Sequence, residues 1–355
     1  MKWDEYVQAL LQKCKASRIP ASATFELTPL CNFNCNMCYI HLTKEQAAQQ
    51  GEMLSTEQWL RIAGEAKQQG CFALELTGGE AATRPDFAEL YEALAKMGYL
   101  MTLRSNGYLL HGDTLALLAK YKPLHVGITL YGGTDETYRK VCGVRDGFSR
   151  VQENVFALRE SGINVELSVT ETKDNVDDRP ILNEWARQHD LFITYFGGLV
   201  TPIRSAKRSI DHLRVDYSPY IEDSEVCPPT VSTDDKEKYM SPFCMCRGFG
   251  TKFCVSWDGR MTLCNLLPSI WSDVLRKSVG DAYVSLYQQL DELTRPAECI
   301  KCQFLNHCGV CPARLLSETG THSQISPKLC REARLSYAAA HRNNERVATN
   351  SNPED

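Results

Sequence analysis

From about residue 23 to residue 200 the chain alternates between two kinds of hydrophobic pattern. ATFELT, FALELTGG, YLMTLRSNG, HVGITLYGG, INVELSVTE and LFITYFGGLV are short, rich in β-branched and aromatic residues, and bounded by glycine or polar positions. They are predicted as strands. Between them the apolar residues recur at helical spacing. Phe87, Leu90, Leu94 and Met97 share one face, with Gly98 as C-cap; Phe148, Val151, Val155 and Leu158 share another, which ends near Gly162. Ser55 and Gln58 form a capping box that opens a helix ending near Gly70. Six such strand–helix units in series predict a parallel α/β sheet with right-handed crossovers. Six is short of an eightfold barrel, so a partial, open (β/α)6 barrel is expected, with a doubly wound sheet as the alternative. In either architecture the functional site belongs at the C-terminal ends of the strands.

The pattern stops at about residue 200. Residues 201–243 are polar and proline-containing, either a linker or a substrate-contacting segment. From Cys244 to Cys330 cysteines dominate, which predicts a second domain over 244–335. Residues 1–22 predict one N-terminal helix, and 327–343 a closing helix before a disordered tail. Composition adds constraints. A net charge of −5 spread over 355 residues gives no basic field for nucleic acid or anionic lipid. The start has no signal peptide and no apolar run long enough to span a bilayer, which predicts a cytoplasmic protein. Sixteen cysteines in such a chain point to metal or redox chemistry rather than disulfides.

CNFNCNMC, residues 31–38, places Cys31, Cys35 and Cys38 in one loop just after the first strand. A zinc site would need a distant fourth ligand, such as His41, whereas structural zinc usually takes paired ligand sets. Three buried thiols without a metal is a further alternative. Short cysteine runs of this kind also hold iron–sulfur clusters, and three thiolates would leave one iron of a four-iron cluster open.

The C-x3-C-x2-C spacing resembles the cluster loop of radical S-adenosylmethionine (SAM) enzymes. The resemblance implies that the open iron is chelated by the amino and carboxylate groups of SAM, and that SAM is reductively cleaved to a 5′-deoxyadenosyl radical that abstracts a substrate hydrogen. TGGE at 77–80 resembles the family's GGE motif, so Gly78, Gly79 and Glu80 would hold the SAM ammonium. Ala81 departs from the proline many members carry there. The segments containing Asn106 and Thr129 resemble the third- and fourth-strand motifs, and Tyr39, Asn106, Thr129 and Ser168 become candidate SAM contacts.

The C-terminal spacing runs Cys246, twelve residues, Gly259, four residues, Cys264, then Cys299, Cys302, Cys308, Cys311 and Cys330. This resembles the SPASM extension of peptide- and protein-modifying radical SAM enzymes, with two residues rather than three between Cys308 and Cys311. The resemblance implies two auxiliary four-iron clusters. Cys246, Cys254, Cys264 and Cys311 would hold one; Cys299, Cys302, Cys308 and Cys330 the other. Cys244 competes with Cys246. Zinc ribbons are the alternative for this region. Cys227 and Cys244 are candidate hydrogen donors.

Among relatives of this type, sulfatase maturases carry an Asp after the second SPASM cysteine; here Asn265 stands there and cannot take a proton. The expected function is maturation of a ribosomally made peptide by crosslinking, thioether formation or epimerisation. An external electron donor such as flavodoxin or ferredoxin is an implied partner, and any leader-binding domain is expected either as a separate protein or not at all. A small-molecule radical SAM oxidoreductase and a non-enzymatic iron–sulfur or zinc protein are the alternatives.

Overall fold

A computed structural model describes residues 3–202, 209–216, 241–243, 246 and 248–350. Helix α1 (Trp3–Ser17) precedes strand β1 (Ser22–Glu26). Helices α2 (Lys44–Gln50) and α3 (Thr56–Gln68) lead to β2 (Ala73–Thr77). Then follow α4 (Phe87–Lys96), β3 (Leu100–Ser105), α5 (Gly112–Lys120), β4 (His125–Leu130), α6 (Asp135–Cys142), α7 (Gly147–Glu160), β5 (Val165–Thr170), α8 (Arg179–Gln188) and β6 (Ile193–Phe196). The expected strands and helices are therefore present. The Ser55–Gln58 capping box forms in both directions, and Gly98 and Gly162 close their helices with φ of 77° and 70°.

The strand order decides between the two expected architectures. It runs β6-β5-β4-β3-β2-β1, all parallel, without the reversal a doubly wound sheet would show. Right-handed crossovers that always step the same way put every helix on one face, as in a barrel. That face is apolar: Phe25 packs on Trp59 of α3 at 4.9 Å between rings, and Leu74, Leu76, Leu103, Val126 and Ile128 are buried. The alternate residues form a polar inner face.

The sheet is larger than expected. Strand β7 (Lys252–Ser256) pairs in parallel with β1, and β8 (Arg260–Thr262) and β9 (Ser272–Asp273) follow antiparallel, making nine strands. Helix α9 (Val279–Asp291) packs on them through Tyr283, whose ring lies 6.0 Å from Phe253. The division of the chain therefore differs from the expected boundary at 244. One compact unit comprises Met1–Val215 and Gly248–Gln288, the other Asp216–Arg247 and Gln289–Asp355. The physical reason is the hydrogen-bonded β1–β7 ladder, which ties 248–288 to the barrel.

In the second unit, α10 (Ala297–Ile300) carries Cys299 and α12 (Pro327–Asn350) carries Cys330, while Cys302, Cys308 and Cys311 lie in the connections before α11 (Pro312–Thr319). Helix α12 continues to Asn350, past the expected end at 343. Among the described residues no helix is long and apolar enough to cross a membrane. Cys227 and Cys244 lie outside the described residues.

Candidate functional site

The C-terminal ends of β1, β2 and β3 are knitted into one hydrogen-bonded unit. Leu27 N donates to Thr77 O at 2.8 Å, Gly79 N to Thr28 O at 2.7 Å and Glu80 N to Leu30 O at 2.9 Å. The TGGE turn thus lies flat against the stem of the cysteine loop. A Cβ at Gly78 would stand 2.6 Å from Thr28 O, and one at Gly79 would overlap the Leu30 carbonyl. Both glycines are required by this close backbone approach.

Glu80 is 1% exposed. Its carboxylate accepts from Ser105 Oγ at 3.0 Å, Asn106 N at 2.8 Å and Ala82 N at 3.3 Å. Burial raises its pKa, with those donors pulling the other way. Asn106 extends the chain: its Nδ2 donates to Asn32 Oδ1 at 2.8 Å and approaches Cys31 Sγ at 3.7 Å. A line of polar contacts therefore runs from Glu80 through Ser105 and Asn106 to the first cysteine.

The cysteine loop is also held from the far side. Asn34 N and Asn36 N donate to Cys142 O and Val141 O, both at 3.0 Å, at the end of α6. Asn36 Nδ2 reaches Asp174 at 2.7 Å, and Phe33 packs edge-on against Tyr108, Tyr131 and Tyr138. Cys142, expected as a plain core residue, is hydrogen-bonded to Cys35, and its pKa is raised chiefly by burial. Its place beside the loop depends on the packing of α6 and carries no signal in the sequence.

Cys31, Cys35 and Cys38 sit on this loop and form no disulfide. Burial pushes Cys31 up to about 12, offset in part by the Phe33 N–H and reinforced by Glu80, Cys35 and Cys38. Backbone N–H groups of Phe33 and His41 each point at a cysteine sulfur, 3.3 Å from Cys31 Sγ and Cys38 Sγ. A bound metal group deprotonates a coordinating thiol outright, and N–H donors to the sulfurs offset the charge left on them. Among the described residues no three His, Cys, Asp or Glu side chains converge as a single metal ion would require. Three cysteine thiols on one short loop, two of them facing backbone N–H donors, are a donor set that fits an iron–sulfur cluster.

Thr129 and Ser168 are register partners on β4 and β5, both half-buried on the inner face. Tyr39 is half-buried beside Cys38 in the chain. Deeper on the inner face lies a ladder of charges that the sequence reading missed. Lys252 Nζ is 3.7 Å from Glu75, Arg104 Nε 3.1 Å from Glu75, Arg104 Nη1 3.6 Å from Glu166, and His125 Nε2 3.2 Å from Glu166. Gly127 makes room for it, since a Cβ there would overlap Arg104. Charged residues at alternate strand positions were its only sequence signal. Cys254 faces the same interior; burial pushes its thiol up to about 11, with Lys252 and Thr24 opposing.

In the second unit Cys299, Cys302, Cys308 and Cys330 line one cavity of about 440 Å³, together with Phe304 and Val310. Burial and the neighbouring thiols raise Cys299 and Cys308, while Arg295 and Arg314 pull down. Cys311 lies apart from this cavity, in a small recess with Pro242, Arg295 and His322. The four cysteines of the expected second auxiliary set are thus brought together. The other set falls on both units, with Cys246 and Cys311 on one and Cys254 and Cys264 on the other.

The fold is a parallel sheet with a three-cysteine loop following its first strand. Residues 25–180 match the family model described as Radical SAM superfamily, and the chain carries a radical SAM domain. It is 26% identical over 278 residues to the sporulation killing factor maturation protein SkfB of Bacillus subtilis (strain 168), covering 75% of this chain. The match spans 65% of the length of SkfB. It is 25% identical to the antilisterial bacteriocin subtilosin biosynthesis protein AlbA of the same organism, over 86% of this chain and 70% of AlbA. Among solved structures, Streptococcus suis SuiB bound to S-adenosylmethionine superposes with a TM-score of 0.66 at 18% identity, over 92% of this chain and 81% of SuiB.

Proposed function

We propose that this chain is a radical SAM maturase that modifies a ribosomally made peptide. The observation that carries the reading is the loop of Cys31, Cys35 and Cys38, locked to the GGE turn and to Asn106 at the C-terminal mouth of a parallel barrel. When bound, SAM and a four-iron cluster supply a 5′-deoxyadenosyl radical that abstracts hydrogen from the substrate. The three thiolates hold the cluster, and the Phe33 and His41 N–H groups stabilise their charge. Gly78, Gly79 and Glu80 hold the SAM ammonium, with Glu80 fixing the turn through Ser105 and Asn106. Tyr39, Thr129 and Ser168 contact the rest of SAM. The barrel wall keeps water from the reacting groups.

The peptide substrate is favoured by the relatives: SkfB is named for maturation of a sporulation killing factor, AlbA for biosynthesis of the bacteriocin subtilosin, and SuiB has been solved bound to a precursor peptide, SuiA. Two auxiliary four-iron clusters complete the protein, and the cavity lined by Cys299, Cys302, Cys308 and Cys330 supports one of them. Asn265 supplies no base for a formylglycine reaction. The protein works in the cytoplasm with an external donor such as flavodoxin or ferredoxin. Anaerobic incubation with SAM, reductant and the peptide encoded beside the gene tests the reading. It should yield 5′-deoxyadenosine and a mass change or Cα or Cβ hydrogen exchange in the peptide; 5′-deoxyadenosine formed only with a free metabolite would overturn it.

A further inference from the structure

Helix α7 buries a polar side chain on its apolar face. Val151, Val155 and Leu158 of that face are fully buried, and Asn154 among them is 4% exposed. An amide in such a place is costly unless its hydrogen bonds are made. Asn154 Nδ2 donates to two successive backbone carbonyls, Gly107 O at 2.8 Å and Tyr108 O at 3.0 Å. The turn after β3 is thereby tied to a helix that lies outside every motif of the site. It is also packed on that helix: Gly107 has φ 80°, and a Cβ there would stand 3.0 Å from Ile128 and 3.2 Å from Val151.

This turn sets the orientation of Asn106. Asn106 Oδ1 accepts from the Tyr108 N–H at 3.0 Å. A backbone N–H can only donate, so the amide oxygen must lie on that side. Nδ2 is left on the other side, where it donates to Asn32 Oδ1 at 2.8 Å and approaches Cys31 Sγ at 3.7 Å. The Tyr108 ring makes a second link, edge-on to Phe33 of the cysteine loop with 5.5 Å between centroids. Rotation of the peptide units that Asn154 holds would release both links.

We propose that Asn154 is a positioning residue for SAM binding: by holding the Gly107 and Tyr108 carbonyls it aims the Asn106 amide at the cysteine loop. This rests on the radical SAM reading above. The test compares full-length Asn154→Leu, which keeps the size and apolar packing of the face, and Asn154→Ala with Asn106→Ala and the double variant Asn154→Leu/Asn106→Ala. The leucine variant carries the test if the alanine variant does not fold. In the cluster-free protein, amide hydrogen exchange at 106–108 should speed up about tenfold in the Asn154 variants, as loss of a hydrogen bond predicts, with β3 unchanged. After anaerobic reconstitution, iron content should match wild type. The SAM concentration that half-completes the change in the electron paramagnetic resonance spectrum should rise about tenfold. Asn106→Ala should show a similar rise, and the double variant no more than Asn106→Ala alone, because the two residues act in series. Wild-type half-saturation in Asn154→Leu, or single effects that multiply in the double variant, would overturn the proposal. So would loss of iron with an unchanged SAM response, which is what a purely structural asparagine predicts. If the wild-type spectrum did not respond to SAM, the radical SAM reading would fail, a result seen without any variant.

Discussion

Single side chains decide the chemistry at the mouth of the barrel. Cys35 is one of only three thiols on the loop, so Cys35→Ala should abolish SAM cleavage, read as loss of 5′-deoxyadenosine. Persistence of cleavage would show that the loop does not hold the cluster. Glu80 has a second duty that its motif does not reveal. It ties the second strand to the third, and Glu80→Ala leaves the Ser105 hydroxyl and the Asn106 N–H without their buried acceptor. An unsatisfied buried group costs about 1–3 kcal/mol. Chemical denaturation of the cluster-free protein should register a loss of that order, separating the structural duty of Glu80 from any role toward SAM.

At the scale of elements, the turn after β2 and the loop after β1 act as one piece. Gly79→Ala would drive a Cβ into the Leu30 backbone carbonyl, and a backbone atom cannot swing aside as the end of a side chain can. The variant should lose cluster incorporation and about 1–3 kcal/mol of stability, measured by iron content and urea unfolding. The charge ladder gives the barrel a pH dependence of defined sign. Burial works to raise Glu75, but Lys252, Arg104 and Thr24 outweigh it and hold its carboxyl below the usual range. Stability from this group is therefore fully present above the unfolded value, near ~4.3, and is lost as pH falls through the depressed folded value. Because the partners are partly exposed, the contribution is about 1 kcal/mol or less. Glu75→Gln should flatten the acid limb of the stability–pH curve, and an unchanged limb would remove Glu75 from the ladder's energetics.

For the molecule as a whole, the proposal counts iron. Three four-iron clusters give about twelve irons per chain on anaerobic reconstitution. Alanine at Cys299, Cys302, Cys308 or Cys330 should each remove the same quarter-to-third of that iron and the same spectral component, because one cavity gathers all four. Cys311→Ala should affect a different component, since Cys311 lies in a separate recess. Zinc without sulfide in the purified protein would end the iron reading altogether.

The sequence by itself determined the elements and the chemistry of the mouth. Strand runs, helix faces and caps are local properties. The spacing of Cys31, Cys35 and Cys38 is fixed by a few consecutive residues, so both were legible without coordinates. Tertiary structure decided what depends on distant segments meeting. The monotonic strand order excluded the doubly wound alternative. Pairing of β7 with β1 moved 248–288 out of the cysteine-rich domain and turned Cys254 inward. The contact of Cys142 with Cys35 and the ladder from Lys252 to His125 likewise join residues far apart in the chain. A strand's partner and the face it presents follow from hydrogen-bond register across the sheet, which no local pattern specifies.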